Sequence, residues 1–283
     1  MQKQLLTVVS ILFLTACTTT SSPVSKPVET TPTSNPPPPQ AKPAENGQSQ
    51  PQPQVNESPI PASAPISRYS VNPNNYQITS ASKTEKNILL LTIDDGPTGA
   101  STTEILQILD RHQAKAIWFV NGHQIADKKT DGTFVIKPDK AKLLKEIKQK
   151  GHLIGNHTWW HENLRQLTPE KQREEIISTS DVIEQITGER PAYFRPPFGA
   201  YTPVSKQVCQ EQGMLSMNWS VGSLDWIPKV YKQPNAITQQ VLATVHEGGN
   251  ILFHDRTWTA RELDAILSQL KKNQYKFVLP TER

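Results

Sequence analysis

From residue 86 onward, short hydrophobic runs alternate with amphipathic segments along the chain. The hydrophobic runs predict β-strands at residues 88–93, 116–120, 152–155, 192–194, 215–219, 250–253 and 275–279. The segments between them have helical spacing and predict α-helices at residues 101–112, 139–150, 169–187, 202–212, 235–246 and 259–271. Strands that alternate with helices indicate a parallel sheet, either open and doubly wound or closed into a barrel. The region has roughly 200 residues, which is short for a complete eight-fold barrel of about 250 residues.

The chain before residue 86 has a different composition. Residues 18–75 are mostly Pro, Ser, Thr, Gln and Asn, and they include most of the 24 prolines of the chain. A segment with so few large apolar side chains cannot bury enough surface to fold. We therefore expect residues 17–85 to form a disordered tether and residues 86–283 to form one catalytic domain.

The first residues have the pattern of a targeting segment. Lys3 supplies a positive charge, and the apolar run at residues 5–14 is too short to span a bilayer. The run ends in Leu14-Thr15-Ala16-Cys17, which resembles the lipobox of bacterial lipoproteins. The resemblance implies a lipoprotein signal peptide at residues 1–16, a lipidated Cys17 and a location in the cell envelope, facing the periplasm or the exterior. An ordinary signal peptide is the alternative.

Charge and cysteine content exclude some other classes. The formal net charge is +4, and Lys and Arg are interleaved with Asp and Glu. Because no basic block or basic–aromatic stripe is present, we expect no nucleic-acid partner. Cys209 is the only cysteine besides Cys17, so with Cys17 acylated no intrachain disulfide is possible. We expect Cys209 to be a small buried residue.

The polar residues of most interest follow predicted strands. Asp94-Asp95, His157, Arg195 and His254 each stand just after a hydrophobic run. Parallel α/β folds gather their active sites at the carboxyl ends of their strands. The strand assignments therefore predict one shared site.

Two blocks suggest metal chemistry. In Asp94-Asp95-Gly96-Pro97, one carboxylate can bind a metal while its neighbour stays free as a base. In His157-Thr158-Trp159-Trp160-His161, histidines four apart would lie on one face of a helical turn and share one ion. Two histidines and a carboxylate leave positions open for water and substrate, as catalytic Zn²⁺ sites do. Each block alone is also compatible with a structural turn or a core histidine pair.

Three further blocks would complete a hydrolytic site. The stiff segment Arg195-Pro196-Pro197-Phe198-Gly199 could present an arginine and the Phe198 N–H. Asp225 could form a hydrogen bond with Arg195 or with a histidine, and Trp226 could line a pocket. His254 is at the end of a predicted strand. In the combined mechanism, Asp94 takes a proton from water, the metal and the Phe198 N–H stabilise the oxyanion, and His254 protonates the leaving amine. Alone, each block also permits a surface loop, a helix cap or a locally satisfied histidine.

The five blocks, in this order, resemble the polysaccharide deacetylase family, which is carbohydrate esterase family 4 with the NodB-type homology domain. The resemblance covers residues 86–279 and implies a distorted, incomplete (β/α) barrel of about seven parallel strands. It implies that Asp94 is the base and His254 the acid, tuned by Arg195 and Asp225. It also implies that Trp226 and Leu252 line the acetyl pocket and that the metal ligands are Asp95, His157 and His161. The implied cofactor is a divalent ion, Zn²⁺ first and Co²⁺ or another ion as alternatives.

The sequence departs from the family pattern at three places. Gly222 stands where many members have an acid, Asn250 replaces an apolar residue, and residues 127–138 have the pattern of an insertion. The leading functional hypothesis is a monomeric hydrolase that removes N-acetyl groups from N-acetylhexosamine residues of a cell-envelope glycan, peptidoglycan or a chitooligosaccharide-like polymer. The alternatives are an O-acetyl esterase on an acetylated polysaccharide and a non-catalytic glycan-binding lipoprotein.

Overall fold

The alternating strands and helices fold into a curled parallel sheet with helices packed on its outside. The computed structural model describes residues 68–82 and 84–281. The predicted signal peptide, Cys17 and most of the predicted tether lie outside the described residues. Within residues 68–82 and 84–281, no helix has both the length and the apolar character needed to cross a bilayer.

All seven predicted strands and all six predicted helices are present within residues 68–82 and 84–281, which also contain five short strands and two short α-helices that were not predicted. The strands are β1 (Tyr69–Val71), β2 (Ile78–Ser80), β3 (Ile88–Gly96), β4 (Ala116–Val120), β5 (Ala126–Lys128), β6 (Phe134–Ile136), β7 (Leu153–Asn156), β8 (Tyr193–Phe194), β9 (Leu215–Ser216), β10 (Val221–Gly222), β11 (Asn250–His254) and β12 (Lys276–Phe277). The α-helices are α1 (Ala100–Arg111), α2 (Gly122–Ile125), α3 (Pro138–Gln149), α4 (Pro169–Thr187), α5 (Pro203–Glu211), α6 (Pro228–Tyr231), α7 (Ala236–Thr244) and α8 (Thr257–Lys272). Short 3-10 turns occupy Leu164–Gln166 and Pro197–Gly199.

The main sheet confirms the predicted fold class. Its strand order is β10-β11-β3-β4-β7-β8-β9, and every neighbouring pair along this path is parallel. β12 pairs in parallel with the first residues of β3. The seven parallel strands along this path form an open, curled barrel. The carboxyl ends of the strands therefore meet at one rim.

β3 is a nearly continuous hydrophobic run because both of its faces are buried. Leu89 and Leu91 pack in the cluster formed with α1 and α8. Ile88 and Leu90 point the other way and pack with Phe119 inside the curl of the sheet. This alternation fixes β3 at the centre of the sheet and places the residues that follow it at the rim.

The structure differs from the predicted tether at residues 69–80. There β1 and β2 form an antiparallel hairpin, with Val71 and Ile78 buried. The Ile78 N–H donates to the Gly248 carbonyl at 2.8 Å, which attaches the hairpin to the main domain. The folded domain therefore begins before residue 86. These strands have three residues each in a polar context, too little for a composition argument to detect.

The predicted insertion at residues 127–138 also has a defined structure. Its strands β5 and β6 pair as an antiparallel hairpin. Phe134 stacks on Trp159 with ring centroids 5.4 Å apart, so the insertion packs behind one of the predicted metal-binding blocks.

His152, just before β7, gives the fold a pH-sensitive stability. Its Nδ1 accepts a hydrogen bond from the Ala116 N–H at 3.0 Å, while its buried Nε2 has no partner among the described residues. Burial and the nearby Lys115 lower the pKa of His152 from 6.5 to about 4. In the unfolded chain this histidine takes up a proton near its ordinary pKa, whereas in the folded protein it stays neutral.

We therefore expect the free energy of unfolding to fall as pH drops from about 6.5 to about 4, with up to about 3 kcal/mol from His152. His152→Gln, which keeps an acceptor for the Ala116 N–H, should reduce this pH dependence in urea unfolding at pH of about 7.5 and 4.5. His246→Gln, at a half-buried histidine, is the matched control. An equal pH dependence in wild type and His152→Gln would contradict this account.

Candidate functional site

One cavity of about 380 Å³ opens at the carboxyl rim of the sheet and brings the predicted residues together. Its walls are formed by Asp94, Asp95, His157, His161, Pro196, Phe198, Trp219, Asp225, Trp226, Leu252, His254 and Arg256. Arg195 is fully buried and contacts Asp94. The structure therefore places every predicted residue of the described region in, or directly behind, a single site.

A bulge in β3 lets two consecutive carboxylates face the same cavity. In a regular strand, neighbouring side chains point to opposite faces. Here the register against β4 shifts between Asp94 and Gly96, and Asp95 has a left-handed backbone with φ of 70°. A bulge inserts one extra residue and bends the strand, so the Asp94 and Asp95 side chains both line the cavity.

Asp95, His157 and His161 form a site that suits a divalent metal ion. One ligand atom from each lies within 4.8 Å of the others. His157 Nε2 is 3.7 Å and His161 Nε2 is 3.6 Å from Asp95 Oδ1, a buried oxygen that has no hydrogen-bond partner among the described residues. An unpartnered carboxylate oxygen between two imidazole nitrogens is the donor chemistry of a catalytic metal centre with open positions.

Electrostatics favour the ligand forms of these groups. Burial raises the pKa of Asp95, but the nearby His157, His254, His161 and Arg256 together outweigh it and hold that pKa below its usual value. Burial, reinforced by His157, lowers the pKa of His161 to about 4. Metal binding requires an ionised carboxylate and neutral imidazoles.

The histidine pair does not lie on a helical turn, so that prediction is wrong. Residues 157–161 form a loop in which Thr158 and His161 have left-handed backbones, with φ of 69° and 61°. The loop is held by the Thr158 N–H, which donates to Asn156 Oδ1 at 2.9 Å. It is also held by the Trp160 N–H, which donates to the buried Glu175 at 2.7 Å. These hydrogen bonds replace the helix in bringing the two imidazoles together.

Arg195 connects the predicted base to a metal-site histidine. Its guanidinium donates to Asp94 Oδ1 at 2.8 Å and to Thr92 Oγ1 at 2.9 Å. Its carbonyl accepts a hydrogen bond from His157 Nδ1 at 2.7 Å, which leaves His157 Nε2 free to face Asp95. Burial lowers the pKa of Arg195, and the charge of Asp94 opposes that effect. One buried residue therefore orients both Asp94 and His157.

His254 and Asp225 form a second pair that lines the same cavity. Asp225 is fully buried and accepts hydrogen bonds from His254 Nδ1 at 2.7 Å and from Thr259 Oγ1 at 2.6 Å. Burial lowers the pKa of His254, but the hydrogen bond and charge of Asp225, with the charges of Asp94 and Asp95, outweigh it and raise that pKa above its usual value. His254 is therefore suited to hold a proton.

The departures at Gly222 and Asn250 have local explanations. A Cβ at Gly222 would lie 3.2 Å from the Trp226 ring, so glycine leaves room for that indole against His254, whose ring centroid is 5.3 Å away. Asn250 Nδ2 donates to the Asn218 carbonyl, which also accepts from Arg195. A polar residue at position 250 thus supports the carbonyl that holds the buried arginine.

Arg256 is a site residue that the sequence did not indicate. Its guanidinium donates to Asp95 Oδ2 at 2.7 Å, on the carboxylate oxygen that faces away from the two histidines. Trp219 and Pro196 also line the cavity and were not predicted as site residues. A single arginine two positions after His254 has no pattern that marks it, whereas Trp219 could have been suspected because it is an aromatic residue that ends a predicted strand.

Comparisons with known proteins identify the family to which this domain belongs. A family model described as polysaccharide deacetylase matches residues 81–217. A crystal structure of the Bc1960 peptidoglycan N-acetylglucosamine deacetylase, in complex with 4-naphthalen-1-yl-N-oxidanyl-benzamide, superposes with a TM-score of 0.60 at 31% identity, covering 69% of this chain and 86% of that one. The chain belongs to the polysaccharide deacetylase family. The resemblance inferred from the five blocks is confirmed for this domain.

Two further matches set the scope of the similarity. The Listeria monocytogenes peptidoglycan-N-acetylglucosamine deacetylase PgdA is 35% identical over 197 residues, which are 69% of this chain but 38% of that protein. The chain therefore spans much less than two thirds of this relative. The wild-type Bacillus anthracis protein BA3943, described as a pseudoenzyme of carbohydrate esterase family 4, has a TM-score of 0.59 at 25% identity, covering 68% of this chain and 63% of that one.

The donor set predicts a measurable metal affinity. We expect His161→Ala to weaken Zn²⁺ binding by at least about 100-fold, because one of three protein ligands is lost. Isothermal titration of the purified full-length chain with Zn²⁺ gives the affinity, and circular dichroism checks that the fold is retained. His246→Ala, at a half-buried histidine outside the cavity, should bind Zn²⁺ as wild type does. Equal Zn²⁺ affinities for the two variants would exclude His161 as a ligand.

Proposed function

We propose that this protein is a metal-dependent hydrolase that removes N-acetyl groups from N-acetylhexosamine residues of a cell-envelope glycan such as peptidoglycan. The observation that carries the proposal is the arrangement of one cavity. It holds a candidate base, Asp94, and a candidate acid, His254, together with a carboxylate–histidine donor set. Amide hydrolysis needs all three, because water must be activated and an amine must be protonated as it leaves.

The proposed cofactor is Zn²⁺, held by Asp95, His157 and His161. When bound, it would supply Lewis acidity that polarises the acyl carbonyl and the attacking water. Two neutral imidazoles and one carboxylate are ligands that Zn²⁺ accepts while leaving positions open for substrate. Co²⁺ and other divalent ions are compatible with the same ligands.

In the proposed reaction Asp94 takes a proton from the attacking water. Arg195 holds Asp94 Oδ1, which leaves Oδ2 on the side of His157, at 3.6 Å from its Nε2. The Phe198 backbone N–H donates to the developing oxyanion. His254, whose Nδ1 hydrogen is held by Asp225, protonates the leaving amine from its other nitrogen. Trp226 and Leu252 form the apolar wall for the acetyl methyl group.

The hydrogen bond of 2.7 Å between His254 Nδ1 and the buried Asp225 supplies the general acid that an amide substrate needs. An amine leaves only after protonation, whereas an alkoxide leaving group needs less help from a general acid. A histidine kept protonated by a buried carboxylate meets the stricter requirement. This supports N-deacetylation over O-deacetylation within the same family.

The proposed location is the cell envelope, with the catalytic domain tethered to a membrane through a lipid on Cys17. Support comes from the lipobox-like Leu14-Thr15-Ala16-Cys17 and from the Pro-rich segment after it. The names of the relatives, peptidoglycan deacetylases, agree with a polymeric substrate outside the cytoplasm. We propose that the protein acts as a monomer.

Similarity to a pseudoenzyme makes a binding-only role the alternative to test. The retained chemistry argues against it, because the base, the acid and all three metal ligands converge on one cavity. A protein that only binds glycan has no need of the buried Arg195–Asp94 pair, whose desolvation is costly.

Acetate release is the direct test. The purified full-length chain with Zn²⁺ or Co²⁺ should release acetate from peptidoglycan or N-acetylglucosamine oligomers faster than from acetyl-xylan. Asp94→Asn should lower kcat by about 10²–10⁴ while Zn²⁺ stays bound, because it removes the base and keeps the ligands. Asp264→Asn, at an exposed aspartate, is the control. The proposal fails if wild type releases no acetate from any amide substrate while a related deacetylase does.

The Asp225–His254 pair gives a pH-dependence test. Asp225 raises the pKa of His254, so the general acid stays protonated to a higher pH than an ordinary histidine would. In Asp225→Asn the hydrogen bond can be retained but the charge is lost, so the pKa of His254 falls. We expect the alkaline limb of the kcat/KM profile to move to lower pH in this variant. An alkaline limb that stays in place would show that His254 is not the group that titrates there.

A further inference from the structure

The β1–β2 hairpin packs inside the curled sheet, in the same cluster as the ring that lies against Arg195. Val71 and Ile78 are buried in this cluster with Phe119, and the centre of the Phe119 ring is 4.3 Å from the Arg195 guanidinium. The hairpin approaches the main domain closely, because a Cβ at Gly248 would lie 2.7 Å from the Ile78 carbonyl oxygen. The hairpin precedes residue 81, where the match to the family model begins. It therefore lies outside the matched family segment.

A chain of hydrogen bonds joins the hairpin to the proposed base. The buried Asn250 donates from Nδ2 to the Tyr76 carbonyl at 3.1 Å and to the Asn218 carbonyl at 3.0 Å. The Asn218 carbonyl also accepts from Arg195 Nη2 at 2.9 Å. Arg195 Nη1 in turn donates to Asp94 Oδ1 at 2.8 Å. Because only the NH2 group of an amide can donate to two carbonyls, these contacts fix the orientation of the Asn250 side chain.

Asn250 is a polar residue at a fully buried position of β11, where the family pattern has an apolar residue. A buried amide is costly unless it is hydrogen-bonded. Asn250 Oδ1 accepts from Thr92 Oγ1 at 3.3 Å, and Thr92 Oγ1 accepts from Arg195 Nη1 at 2.9 Å. Both ends of the Asn250 amide therefore contact groups that bind Arg195. A leucine has the same branched shape but would leave the Tyr76 and Asn218 carbonyls without this donor.

Tyr76 gives the hairpin a second contact with the same region. Its backbone is left-handed, with φ of 62°, which is uncommon for residues other than glycine. Its ring stacks on Tyr201 with ring centroids 6.4 Å apart. Tyr201 stands two positions after Gly199, whose carbonyl accepts from Asn218 Nδ2 at 3.3 Å. The hairpin therefore reaches Asn218 by two routes, through Asn250 and through the segment that contains Gly199 and Tyr201.

We propose that Tyr76 and Asn250 are positioning residues of the active site. Through them the hairpin holds Arg195 in the orientation that Asp94 needs as the base. The inference rests on the proposed function, because that function assigns Asp94 as the base. The Tyr76 carbonyl fixes the Asn250 amide, the amide fixes the Asn218 carbonyl, and this carbonyl binds the buried guanidinium. A small displacement of a catalytic group slows a reaction whose substrate still binds, so the effect falls on kcat.

The first measurement separates kcat from KM. With the full-length chain, Zn²⁺ and N-acetylglucosamine tetramer, we expect Asn250→Leu to lower kcat by about tenfold and to leave KM within about twofold of wild type. Ile251→Val, a smaller side chain in the cluster on the other face of β11, is the matched control for lost stability and should keep the wild-type kcat. A wild-type kcat in Asn250→Leu would overturn the proposal.

The second measurement concerns the hairpin itself. Tyr76→Ala removes the ring that stacks on Tyr201 and should lower kcat by about threefold. Tyr76→Phe keeps the ring and should have the wild-type kcat. Thr79→Ala, at an exposed position of the same hairpin, is the control. If circular dichroism shows that Asn250→Leu does not fold, the Tyr76 variants still decide, because equal kcat values for Tyr76→Ala and Tyr76→Phe would overturn the role of the hairpin.

A double-mutant cycle tests whether the effect passes through the base. If Asn250 acts by orienting Arg195 against Asp94, Asn250→Leu should lower the residual kcat of Asp94→Asn by less than about twofold. A general loss of stability would instead lower kcat by the same factor with and without Asp94. The same fall in both backgrounds would therefore overturn the proposal.

A signal that does not depend on turnover separates this inference from the proposed function. In the full-length chain labelled with ¹⁵N-arginine, rotation of the hydrogen-bonded Arg195 guanidinium should be slow by NMR, and Arg195→Lys assigns its signal. We expect Asn250→Leu and Tyr76→Ala to speed this rotation and Ile251→Val to leave it unchanged. If wild type releases no acetate but the rotation changes as stated, the proposed function fails and the positioning of Arg195 by the hairpin stands. If wild type releases acetate and the rotation is the same in all variants, the positioning is wrong and the proposed function stands.

Discussion

The buried contact between Arg195 and Asp94 is the constraint on which the rest of the site depends. A fully buried guanidinium is costly unless it is paired, and here Asp94 and the ring of Phe119, 4.3 Å away, surround it. The same residue accepts the Nδ1 hydrogen of His157 on its carbonyl. Orientation of the base and orientation of a metal-site histidine are therefore coupled through one side chain and its own backbone. Removal of Arg195 would leave a buried carboxylate without its partner charge.

Much of the site could be predicted from the sequence, because each polar residue follows a hydrophobic run. Once the runs are read as parallel strands, Asp94, His157, Arg195 and His254 must meet at one rim. The pairing of His254 with Asp225 was left open by the residues alone, since Asp225 could equally have held Arg195. Distances decide it, because Asp225 Oδ1 is 2.7 Å from His254 Nδ1. Long, strongly patterned segments are predictable, but a choice between two partners depends on packing.

What the sequence did not predict depends on backbone conformation and on residues without a pattern. Thr158 and His161 adopt left-handed backbones, which are uncommon for residues other than glycine, so the helical turn predicted from the spacing of the histidines does not form. The loop is held instead by Glu175, which stands 14 positions after His161. Its buried carboxylate accepts a hydrogen bond from the Trp160 N–H. The ion pair of Arg256 with Asp95 arises in the same way, from tertiary proximity between the ends of β11 and β3. Such contacts are long-range and leave no local signature.

The charges around the cavity explain why these extra contacts matter. Asp94, Asp95 and Asp225 are three carboxylates, and Arg195, Arg256 and a protonated His254 balance them. The protein's own groups are then close to neutral, so a divalent ion would give the site an excess of positive charge. Such an excess would stabilise the negative charge that develops on an acyl oxygen when water attacks, because a preorganised positive site lowers the barrier to that step. Without Arg256, the negative charge of Asp95 would offset more of the positive charge of a bound divalent ion. Arg256 therefore neutralises one carboxylate of the site, as Arg195 neutralises another.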